Sequence, residues 1–180
     1  MKSRMFVCAA LTILAAIGIA SADEVFTAKM VRTKGLSKQS VHLDLRITEY
    51  ATQEDADALQ KILAEEGQEA MQKALRAGDR GVAQVTGGRP LKVNWVRVFP
   101  GQNGSTVIIV TEQPLYFPGE EPATGPSGAL GFITLEMNDR GHGRGRLAEV
   151  TAIHVTEDNV LEIEASRPTT IEMEDVRRVQ

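Results

Sequence analysis

Cysteine is nearly missing from this chain: Cys8 is the single one among 180 residues. Past it, no disulfide can form, no thiolate can attack a substrate and no cysteine-ligated zinc site can assemble, so a buried core must hold the fold. Aromatic residues are scarce as well, at 4% of the chain, which argues against a sugar-stacking cleft. Of the three histidines, His42, His142 and His154, no two stand at the H-E-x-x-H spacing or another close metal-binding spacing. A serine nucleophile lacks its G-x-S-x-G elbow, because Ser105 and Ser127 each precede an expected strand and not a strand-to-helix turn. The carboxylate pairs Glu162 with Glu164 and Glu172 with Glu174 read as solvated strand faces, and Glu120-Glu121 sits in a Pro/Gly-rich loop. No catalytic, metal or cofactor site is expected from these patterns.

What is present begins with a targeting pattern. Lys2 and Arg4 precede the uncharged run Met5 to Ala20, followed by Ala20-Ser21-Ala22 and the acidic pair Asp23-Glu24. The run is short against the ~20 apolar residues of a membrane span, and the A-x-A triplet is what a signal peptidase reads. Residues 1–22 are therefore expected to be a signal peptide cut between Ala22 and Asp23, leaving one domain over residues 23–180 in the periplasm or outside the cell. Removing 22 of 180 residues leaves 158, with 18 basic against 24 acidic side chains. That net charge of −6 disfavours nucleic acid and anionic membrane as partners, since both need clustered cations. Stable membrane insertion is not expected once the leader is gone. The partner is then an unidentified protein or small molecule.

Periodicity gives the element types. Val41, Leu43, Leu45 and Ile47 alternate with His42, Asp44, Arg46 and Thr48, the mark of a strand with one wet face. From Thr52 the spacing turns helical, with Leu59, Ile62 and Leu63, then Met71, Ala74 and Leu75 on one face. Thr52 and Asp55 have the spacing of a capping box, and Gly67 divides the helix. From Arg80 onward short alternating segments return, separated by turns such as Gly87-Gly88 and "PGQNG". The expected class is α+β: an antiparallel sheet of about seven to nine strands, curled or sandwiched, with one helical hairpin or interrupted helix packed on it.

The stretch "NDRGHGRGRLAEV", residues 138–150, is the most unusual in the chain. Its glycines, Gly141, Gly143 and Gly145, lack the G-x-G-x-x-G spacing of a phosphate cradle, and a strand follows where that cradle needs a helix. A calcium loop wants carboxylates at alternate positions, but glycines occupy them here, interleaved with Arg140, His142, Arg144 and Arg146. The reading that remains is a hairpin, opened by Asn138 and Asp139, with Gly141 at positive φ and the later glycines allowing twist or a bulge. Arg140, Arg144 and Arg146 form a candidate patch for an acidic partner.

Together, "VHLDLRITEYATQEDADALQKIL", "VIIVTEQPLYF" and "FITLEMNDRGHGRGRL" resemble a family of exported bacterial proteins, one with a strand leading into a capped helix and a later glycine-rich hairpin. The resemblance implies export and this element order. That family has no assigned activity, so the resemblance implies no site residue.

The expected role is a non-enzymatic binding or structural domain. Two rivals are a carrier whose curled sheet encloses an apolar pocket, and a hydrolase using His42 or His154 with a carboxylate.

Overall fold

The computed structural model describes residues 23–34, 36–119, 129–155, 161–165 and 171–179, with backbone alone at residue 34 and over 151–155 and 161–165. Nine strands and two helices follow in the order β1 (Glu24–Lys34), β2 (Ser37–Ile47), α1 (Gln53–Glu66), α2 (Gln68–Ala77), β3 (Gly81–Val85), β4 (Leu91–Gly101), β5 (Gly104–Thr111), β6 (Leu130–Asn138), β7 (His142–Val155), β8 (Leu161–Ala165) and β9 (Ile171–Val179).

The expected α+β layering is overturned. Eight strands close into an antiparallel barrel in the order β1-β2-β3-β4-β5-β6-β7-β9, with β9 pairing back onto β1, and β8 lies outside the ring on β7. The first and last strands form the seam, Val25 standing level with Val179. Closure satisfies the edges that an open sheet would expose. It also lets each strand bury its apolar face against the others without a second layer.

Bulges help to bend the sheet round. On β4, Asn94 is an extra residue between Val93 and Trp95. On β9, Asp175 and Val176 together stand opposite Ala28 of β1. Each extra residue bends its strand and increases the local twist.

The alternation read in the sequence becomes the barrel's inside and outside. Phe26 and Met30 of β1, Leu43, Leu45 and Ile47 of β2, Val93 and Val96 of β4, Ile109 of β5, Ile133 and Leu135 of β6 and Met173 of β9 are almost wholly removed from solvent. An eight-stranded barrel is just wide enough to be filled by side chains or to hold one small ligand, and here these side chains fill it. Burying each stabilises the fold by about 1.5–3 kcal/mol. After β5 the chain adds Leu115 and Phe117 to this core, and the Arg32 guanidinium lies 4.5 Å from the centre of the Phe117 ring.

The helices lie where their periodicity placed them, but as a cover on part of the barrel's outside. Thr52 caps α1: its Oγ1 accepts from the Asp55 N–H at 3.2 Å, while its own N–H donates to Asp55 Oδ2 at 2.8 Å. Helix α1 has no fully buried residue; α2 buries Met71 and Leu75 against Val110, Leu130 and Val150. Trp95, half-buried, packs against this outer cluster. The β4 bulge anchors the end of α2, where Asn94 Nδ2 donates to the carbonyls of Arg76 and Gly78 at 3.0 Å each.

Candidate functional site: the barrel mouth and the β6–β7 turn

One end of the barrel gathers the start of β1 and β5 and the ends of β2, β4, β6 and β9. Glu24 and Phe26 come from β1, Tyr50 follows β2, Val98 lies on β4, Ser105 and Val107 on β5, Met137 and Asn138 on β6 and Arg178 on β9; together they line a hollow of about 90 Å³. Tyr50 OH donates to Glu24 Oε2 at 2.8 Å, and Arg178 Nη1 lies 3.8 Å from the same oxygen. Burial, then the hydrogen bond to Glu24, push the Tyr50 phenol well above its usual range, so it stays a donor. No sequence pattern marked this cluster. Glu24 and Arg178 sit at opposite ends of the chain and meet because Phe26 is level with Arg178 across the β1–β9 seam.

Beside the mouth is the glycine-rich hairpin. Asn138 Oδ1 accepts from the N–H groups of Arg140 at 2.9 Å and His142 at 3.0 Å, and Gly141 has φ 74°. Gly143 and Gly145 face the barrel interior and are packed against their neighbours. A β-carbon at Gly143 would fall 2.0 Å from the Glu136 carbonyl oxygen; one at Gly145 would fall 2.7 Å from Leu135 Cδ2 and 2.9 Å from the Thr134 carbonyl oxygen. The glycines are therefore closure positions, where β7 crosses close to β6.

The arginines on this ribbon divide into two groups. Arg144 Nε donates to Glu136 Oε2 at 2.8 Å, and Arg146 is level with Glu172 on β9. These two sit in a cross-strand arrangement of opposite charges. Arg140 and His142 do not: His142 is level with Arg177 of β9, and among the described residues no salt bridge reaches Arg140, His142 or Arg177. Of the sequence patch, Arg144 is thus ion-paired and Arg146 stands opposite Glu172 with no salt bridge among the described residues, while Arg177, far along the chain, is brought level with His142.

The other candidates are dispersed. Ala20 and Ala22 lie outside the described residues, whereas Asp23 accepts from Arg46 Nε and Nη2 at 2.8 and 2.7 Å. His42 is exposed on the outer face of β2 and makes no side-chain hydrogen bond among the described residues. His154 is level with Glu162 in the backbone ladder, and its side chain lies outside what is described. Among the described residues no group of three or more His, Cys, Asp or Glu converges, and no helix is long and apolar enough to cross a membrane.

Comparison of the chain with protein-family models, with curated proteins and with solved structures finds no match.

Proposed function

We propose that this chain is an exported, non-enzymatic binding domain that recognises an acidic protein partner at the rim of its barrel mouth. The observation that carries this reading is the cluster of Arg140, His142 and Arg177, three exposed basic groups with no acidic partner among the described residues, on a chain that is acidic overall. Arg140 and Arg177 have no salt-bridge partner among the described residues, and an incoming carboxylate supplies one. The interior favours surface recognition too. It is filled by side chains, and the hollow at the mouth is far below the several hundred Å³ that suits an apolar cargo.

The test is site-specific photo-crosslinking in the native envelope. A photoreactive residue replacing Arg140 should capture an acidic protein, with yield falling as salt rises and falling again in an Arg177→Glu background. The same probe replacing Gln84, exposed on β3 across the barrel, should not. Equal capture from both positions, or none from position 140, would overturn the reading. Intact mass of the envelope-derived protein checks the export part: a chain beginning at Asp23 is expected.

A further inference from the structure

The hollow at the barrel mouth has a chemistry of its own. Its floor is apolar, from Phe26, Val98 and Val107, and its wall carries one carboxylate, Glu24, and one guanidinium, Arg178. Those two charges are held near each other but not in tight contact: Nη1 to Oε2 is 3.8 Å, beyond hydrogen-bond range. Glu24 accepts its one close hydrogen bond from Tyr50, so a carboxylate oxygen and the guanidinium both have capacity left. At roughly 10–15 Å³ for each water-sized position, 90 Å³ admits about six to nine non-hydrogen atoms.

We propose that this hollow binds a small zwitterion of α-amino-acid type, its ammonium on Glu24 and its carboxylate on Arg178. A simple cation meets Arg178, and a simple anion meets Glu24; only a molecule carrying both charges two bonds apart answers each wall group. Glycine and alanine match the available room, and the alanine methyl would face the apolar floor. The Tyr50 hydroxyl, fixed as a donor, keeps Glu24 turned into the hollow. This site borders the rim proposed above, the Arg178 N–H donating to the Gly141 carbonyl at 2.8 Å, but it uses different side chains: Arg178 lines the hollow, while Arg177 next to it stands on the other face of β9.

The experiment is a methyl NMR titration of the purified protein with glycine, L-alanine, acetate and methylammonium, reading Val98, Val107 and Met137. Glycine and alanine should shift these signals saturably, while acetate and methylammonium, each lacking one charge-assisted contact, should bind about tenfold more weakly or worse. Glu24→Gln and Arg178→Gln should each weaken glycine by a similar factor. Ser105→Met, which fills the hollow and leaves both charges in place, should abolish the shifts and guards against a charge variant that misfolds. The proposal is overturned if no amino acid shifts the signals, if acetate or methylammonium binds as well as glycine, or if Ser105→Met still binds. None of these outcomes touches the crosslinking result at position 140, so the two readings fail separately.

Discussion

Arg80 Nη2 lies 3.0 Å from Asp55 Oδ2, tying the residue before β3 to the first turn of α1. The same guanidinium reaches Glu49 Oε1 at 3.0 Å and the Tyr50 carbonyl at 3.2 Å, and its carbon sits 5.8 Å from the centre of the Trp95 ring. Arg80 is itself largely sheltered, its side chain being 14% exposed. It fastens the start of α1 to the barrel, as Asn94 fastens the end of α2. Arg80→Ala should lower stability by about 1–2 kcal/mol, or roughly 2–8 °C in Tm for a domain of this size, because several charge-assisted bonds are lost together. A thermal melt followed by circular dichroism reads it; an unchanged Tm would mean that the packing of Met71 and Leu75 and the Asn94 bonds to the end of α2 suffice to hold the helices.

The same corner makes stability depend on pH. Burial works against ionised Asp55, but the Thr52 N–H and hydroxyl together with Arg80 outweigh it and hold the carboxyl below its usual 3.8. A depressed carboxylate contributes stability that is fully present above its unfolded pKa and is lost as pH falls through the folded one. Asp55→Asn should therefore destabilise the protein at pH 7 by a few tenths to about 1 kcal/mol, discounted for solvent screening. The gap between variant and parent should close below pH 4. A gap that persists unchanged at pH 2.5 would show that the cap's geometry, and not its charge, matters.

Barrel and helices should also differ in what they contribute. Leu45→Ala and Ile133→Ala, at positions with no exposure, should each cost about 2–5 kcal/mol. Leu59→Ala on the half-buried face of α1 should cost less than about 1.5 kcal/mol, since much of that side chain already meets water. Urea denaturation with tryptophan fluorescence gives the ordering. A reversal would mean that the helical layer, and not the closed sheet, dominates.

The local elements were legible in the sequence because their signals are local. The alternation from Val41 to Ile47, the Thr52–Asp55 cap and the break at Gly67 each rest on residues within one or two turns of each other. Closure was not legible, because it depends on Val25 finding Val179 and on extra residues such as Asn94 and Asp175, which no short-range period announces. The helical stretch, the strongest single signal, invites a two-layer reading, yet α1 buries no side chain fully. For the candidate site, the hairpin's cations were visible, but their ion-matching was not. Glu172 and Arg177 enter only through the β7–β9 register.

The hairpin glycines should separate by mechanism. Gly145→Ala forces atoms apart against Leu135 and the Thr134 carbonyl, and Gly143→Ala meets the Glu136 carbonyl at a distance no rotamer can relieve. Both should cost at least about 2 kcal/mol, through strain at the β6–β7 closure. Gly141→Ala meets nothing closer than 3.4 Å and is penalised by its φ of 74° alone, about 1–2 kcal/mol. Denaturation midpoints that ranked Gly141→Ala as the worst would contradict the closure role given to the other two.

Asp175 is the one described residue other than glycine with a positive φ, at 52°, and it forms the β9 bulge that lets both Met173 and Val176 point into the core. An aspartate tolerates this left-handed conformation better than most side chains, and a β-branched one does not. Asp175→Gly and Asp175→Asn should therefore leave stability within about 0.5 kcal/mol of the parent, whereas Asp175→Val should cost about 1–3 kcal/mol. If the exposed carboxylate were the reason for the residue, Gly and Asn would both lose stability as Val does. Thermal melts of the three variants at one pH decide between backbone conformation and charge. The outcome bears on the barrel directly, since without that extra residue β9 could not keep its pairing with β1 on one side and β7 on the other while presenting Val176 inward.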